Sequence, residues 1–94
     1  MKNETIPTAT VKARFKEAQN NVQGLKVEIK FWLQEKDEAL NAGDEHRILD
    51  AILELKELDR KLAYAELDMM YFYDILVMRH LREETLWQET RNLI

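Results

Sequence analysis

Two groups of histidine and carboxylate side chains have the spacing that chemistry would need. His46 and Asp50 stand one helical turn apart with Glu45 adjacent, and His80 precedes Glu83 and Glu84 at i+3 and i+4. Either set could offer imidazole nitrogen and carboxylate oxygen to a divalent cation. Carboxylate-bridged metal sites in helical bundles, however, require Glu-x-x-His on each of two helices plus further inward-pointing glutamates. No Glu-x-x-His occurs in this chain. Both groups are therefore read as solvated pairs on a helix surface, and no metal or cofactor is expected. Cysteine is absent, which excludes thiolate ligands, disulfides and cysteine nucleophiles and fits a reducing compartment.

Acid–base catalysis needs carboxylates or imidazoles gathered in a pocket where their pKa values shift. A helical protein can assemble such a pocket between protomers when Arg and Lys point inward from its seams. Here the apolar seams described below are interrupted mainly by Lys36 and Arg79. No glycine-rich phosphate loop or nucleotide fingerprint is present. No catalytic residue is assigned, and the chain is read as non-enzymatic.

Charge is distributed unevenly. Asp and Glu number 18 against 14 Lys and Arg, a balance that opposes indiscriminate binding to nucleic acid. Residues 34–58 hold eight acids (Glu35, Asp37, Glu38, Asp44, Glu45, Asp50, Glu54, Glu57) and three bases (Lys36, Arg47, Lys56). Bases collect instead at Lys12, Arg14 and Lys16 near the start and at Arg79 and Arg82, with His80, near the end. If the chain folds back on itself these two groups meet in a candidate basic patch. That patch is the basis of an alternative reading, a small DNA-binding or nucleoprotein accessory protein, although no helix-turn-helix spacing is visible.

The elements that position these residues follow from very sparse punctuation: one proline, Pro7, and two glycines, Gly24 and Gly43. Residues 1–8 read as a flexible N-terminal arm, with Thr8 or Thr10 available as an N-cap. Residues 9–94 form a single helical domain with helix one over about 9–41, a turn at about 41–44 and helix two over about 45–92. Helix one carries Val11, Phe15, Ala18, Val22, Leu25, Ile29 and Trp32 at alternating four- and three-residue steps, with Ala39 and Leu40 beyond Lys36. Helix two repeats the pattern at Ile48, Ala51, Leu55, Leu58, Leu62, Ala65, Met69, Phe72 and Leu76. Such seams zip together as in a coiled coil. Gly43 and Asp44 supply the stop and the restart, so the expected fold is all-α, a long antiparallel helical hairpin.

The arms do not match. At 1.5 Å per residue helix two reaches roughly 70 Å against roughly 45 Å for helix one. This leaves a tail with Leu81, Leu86, Trp87, Leu93 and Ile94 that either bends back near 82–85 or packs on another chain. Helix two also carries a second apolar row: Leu49, Ile52, Leu53, Ala63, Leu67, Met70, Tyr73, Val77 and Leu81. One partner helix cannot cover both rows. Two hairpins dimerising into a four-helix bundle would do so, with Met70, Tyr73, Val77, Leu81, Leu86 and Trp87 at the oligomer or partner interface. The run Met69-Met70-Tyr71-Phe72-Tyr73 surrounds the helix, as expected where several neighbours bury it.

In length, lack of cysteine and hairpin organisation the chain resembles the secreted helical-hairpin proteins marked by a Trp-x-Gly turn, and Tyr64-Ala65-Glu66-Leu67-Asp68 fits their Tyr-x-x-x-Asp/Glu export pattern. That pattern lies mid-helix here rather than in the tail, and the turn is Asn41-Ala42-Gly43, so the chain is not assigned to them. The N-terminus has no apolar run after Lys2, and the apolar stretch at 69–78 is broken by Asp74. Neither a secretory signal nor a membrane span is expected, and the chain is placed in the cytoplasm. The expected function is a non-enzymatic protein–protein interaction module, an adaptor, inhibitor or assembly factor acting as a homo-oligomer. Small modules of this kind suit the accessory proteins of phages and mobile elements.

Overall fold

A computed structural model describes the backbone of residues 6–93 and the side chains of residues 6–80. Two helices account for the fold: α1, Thr8–Ala42, and α2, Glu45–Leu93. They pack against each other along one interface as an all-helical hairpin, with no strand among the described residues. The molecule measures 74 × 28 × 15 Å. An ideal helix of the 49 residues in α2 spans about 73 Å, so this one helix sets the long dimension. It continues as helix through 82–85.

The interface follows the four- and three-residue steps. Val11, Ala18, Val22 and Ala39 of α1 and Ala51, Leu58 and Ala65 of α2 are the buried hydrophobics among the described residues. Phe15, Leu25, Ile29, Trp32, Ile48, Leu55, Leu62, Met69, Phe72 and Leu76 fill the intervening positions half-buried. Both helices repeat every seven residues, the period that keeps two helices face to face over many turns. Four of the seven buried hydrophobics are alanine. Small side chains on the seam bring the helix axes close, and the core is correspondingly thin.

The turn is a helix C-terminus closed on glycine. Gly43 adopts φ 68°, ψ 27°, the left-handed region that costs an L side chain about 1–2 kcal/mol. Its N–H donates to the Leu40 carbonyl at 3.2 Å, while the Asp44 N–H donates to Ala39 at 2.9 Å. Two carbonyls that the helix would leave open are satisfied in this way. Asp44 then starts α2: its Oδ1 accepts the Arg47 N–H at 3.2 Å, as an N-cap carboxylate should.

The other helix start differs from expectation. Pro7 occupies the N-cap position of α1, with no side-chain capping hydrogen bond, and Thr8 and Thr10 lie inside the helix. The fixed φ of proline suits a helix entry, and the Pro7 carbonyl accepts the Val11 N–H at 3.1 Å. The Thr8 hydroxyl is used across the hairpin instead. Gly24 stays helical, and nothing lies within 4 Å of where a Cβ would stand. It costs the helix about 1 kcal/mol relative to alanine and serves no packing purpose. The expected arm at 1–8 falls largely outside the described residues.

Candidate interaction surfaces

A zipped hairpin has two long flanks, one on each side of its seam, and their chemistry differs. On the first flank Arg47 reaches over the turn to Glu35: Nη2 is 2.7 Å and Nε 3.1 Å from the same carboxylate oxygen. The hydrogen bond to Glu35, then its charge, raises the Arg47 pKa above the usual guanidinium value. Seven-residue steps from Glu35 lead to Glu28, Asn21 and Arg14, and from Arg47 to Glu54, Lys61 and Asp68. Arg14, Asn21 and Asp68 line an open trough of about 600 Å³ where Ala18 and Ala65 leave the seam shallow. The rows beside the seam on this flank are polar, and one step further round α2 come Asp50, Glu57, Tyr64, Tyr71 and Met78, the last three exposed.

The opposite flank is marked by Tyr73, whose ring lies 6.0 Å from that of Phe15 at 41°. Tyr73 repeats at heptad steps through Glu66 and Asp59 to Ile52, and the matching row on α1 runs Lys12, Gln19, Lys26, Leu33, Leu40. One step further round α2 come Leu49, Met70 and Val77, all exposed. Apolar side chains therefore gather in two patches: Leu33, Leu40, Leu49 and Ile52 near the turn, and Phe15, Met70, Tyr73 and Val77 near the open end. The charged residues Lys56, Asp59 and Arg60 separate them on α2. Arg60 is tied to Glu57, its Nε 3.2 Å from Oε1, and its guanidinium carbon lies 6.0 Å from the Tyr64 ring centroid. That hydrogen bond, with desolvation opposing it, lowers the Glu57 pKa.

Of the residues expected at an interface, Met70, Tyr73 and Val77 lie together and exposed. The side chains of Leu81, Leu86 and Trp87 lie outside the described residues. The run 69–73 is only partly enclosed by one hairpin: Met69 and Phe72 face the seam, whereas Met70, Tyr71 and Tyr73 are more than half exposed. The apolar contribution of α1 was not among the residues expected at the interface: Leu33 was not singled out, and Leu40, expected on the seam beside Ala39, is 54% exposed because Ala39 alone takes the seam position. Its signal was present in the sequence, because each directly follows a seam position, Trp32 and Ala39, at the same heptad spacing.

The basic residues are brought to one end. Arg79 donates from Nη1 to the Thr8 hydroxyl at 3.0 Å. Thr8, Lys12, Leu76, Arg79 and His80 line a cleft of about 270 Å³ on the Tyr73 flank. Arg14 belongs to the other flank, Lys16 points away from the seam, and Arg82 lies outside the described side chains. Among the described residues no three His, Asp or Glu side chains are grouped to hold a metal ion. No helix is long and apolar enough to cross a membrane, within the same residues. No family model, curated protein or solved structure matches the chain.

Proposed function

We propose that the chain is a non-enzymatic protein–protein interaction module, an adaptor, inhibitor or assembly factor, that works as a homo-oligomer of helical hairpins, with the dimer as its basic unit. One observation carries this reading. After the seam is closed, the second row of α2 still presents Leu49, Leu53, Leu67, Met70, Tyr73 and Val77 to solvent. Large apolar side chains grouped into exposed patches and rimmed by charged residues are a mark of interaction surfaces. A chain this small also gains little stability from a single thin core, so further burial against a second chain supplies what the hairpin lacks.

Light scattering over a concentration series tests it. The expected mass is twice the 11.2 kDa of one chain. Met70→Asp, which puts a charge on the exposed row without touching the seam, and Tyr73→Asp, which also gives up the contact with Phe15, are expected to reduce it to that of a single chain. A wild-type protein that stays monomeric at every concentration overturns the reading.

A second reading, a nucleoprotein accessory role, is favoured by the cleft that gathers Lys12, Arg79 and His80 at the open end. It requires retardation of a DNA duplex at low salt that fades as salt rises, since phosphate contacts release counterions. Lys12→Ala with Arg14→Ala should weaken that retardation, and its absence at low salt rejects the role.

A further inference from the structure

We propose that the two copies pair antiparallel through the Tyr73 flank, so that the acidic turn of each hairpin lies over the basic open end of the other and the partner's Glu45 enters the Lys12–Arg79 cleft. This rests on the self-association reading and adds the orientation and the contact that sets it.

The apolar patches alone permit either orientation, because like patch can meet like patch as readily as turn patch meets end patch. Charge decides between them. Parallel stacking brings the two Glu45 side chains of this flank to the same end, within turn regions that are net acidic over residues 34–58. It also sets two Lys12–Arg79 clefts side by side. Like charges held opposite each other select against an interface. Antiparallel stacking replaces both repulsions with attractions.

The register agrees with this choice. When Tyr73 and Val77 of one chain lie over the partner's Ile52 and Leu49, the residue numbers of facing positions on α2 add to about 125, and residue 80 faces residue 45. Glu45 lies on the Tyr73 flank, four heptads before Tyr73, and its side chain is exposed. It therefore meets the cleft lined by Thr8, Lys12, Leu76, Arg79 and His80. Between the apolar patches the same register sets Asp59 across from the partner's Glu66, so the attraction in this arrangement comes from its two ends and not from the charged gap. A two-fold axis makes every one of these contacts twice and closes the assembly at two chains.

The natural absence of cysteine allows single labels to be introduced cleanly. Asn41→Cys near the turn and Ala13→Cys near the open end are both exposed and lie on the face of α1 away from the seam. Spin labels at Asn41→Cys alone should stand more than about 45 Å apart in the antiparallel dimer, from the rise per residue. Mixing Asn41→Cys chains with Ala13→Cys chains should add a distance below about 35 Å on the same geometry. A short distance from Asn41→Cys alone means a parallel dimer and overturns the proposal while leaving self-association intact. A monomeric mass with no dipolar coupling overturns both. Glu45→Lys should weaken dimerisation about tenfold, and adding Lys12→Glu should restore it. A Glu45→Lys chain that dimerises as tightly as wild type removes the cleft contact from the proposal.

Discussion

Leu58→Asp is expected to leave the chain without helical signal at room temperature, while Leu53→Asp, on the same helix and five positions earlier, keeps most of it. Leu58 is 4% exposed and Leu53 55%. At Leu58 the substitution removes a buried side chain, worth about 2–5 kcal/mol. It also sets an unpaired carboxylate in the seam, where the penalty is again several kcal/mol unless the group takes up a proton. Native domains are stable by only about 5–15 kcal/mol in all, and a seam this thin lies at the low end, so the hairpin does not survive the two losses together. At Leu53 the carboxylate stands in water and the seam is untouched. What is lost there is association, read as a fall in mass and a lower melting temperature at equal concentration. Circular dichroism and light scattering on the two variants separate the roles of the two rows. Equal loss of helix in both would mean that the second row is as much a part of the fold as the seam.

The seam could be read from sequence because its signal is local and repeats many times. Each apolar residue at a heptad position supports its neighbours, and a single misplaced residue such as Gly24 does not break the pattern. Gly43 with Asp44 was legible for a different reason: a left-handed closing residue followed by a capping carboxylate has few other uses. The entry of α1 was less legible. Thr8 and Pro7 both fit a helix start; Pro7 takes the N-cap position, and the Thr8 hydroxyl accepts instead from Arg79, distant in sequence, across the hairpin. The same holds for Arg47 and Glu35, whose pairing depends on the turn's geometry rather than on any spacing within one helix. The division into a polar and an apolar flank lies between these cases. Its residues are periodic, but which α1 row faces which α2 row required two cross-hairpin contacts, Phe15 with Tyr73 and Glu35 with Arg47. With those contacts known, the remaining positions on each flank follow by counting sevens.

Ala51→Leu should cost about 1–3 kcal/mol, the range for forcing extra volume into a packed core, whereas Ala63→Leu should cost nothing. Ala39 and Ala51 are both fully buried on either side of the turn, where the helices are joined by the Gly43–Asp44 connection. Neither backbone can move far there without breaking the hydrogen bonds that close the turn. A leucine at 51 must therefore leave its preferred rotamer or wedge the helices apart. Helix propensity does not account for the loss, because leucine stands next to alanine on that scale. For a chain of this length each kcal/mol lowers the melting temperature by about 4–8 °C, so thermal unfolding reads the effect directly. Ala63 lies on the exposed second row, and a leucine there adds apolar surface without entering the seam. Its expected result is unchanged hairpin stability and tighter self-association, through the same row that Tyr73→Asp disrupts. An Ala51→Leu chain that melts where the wild type does would mean that the helices do not approach as closely at the turn as two buried alanines require.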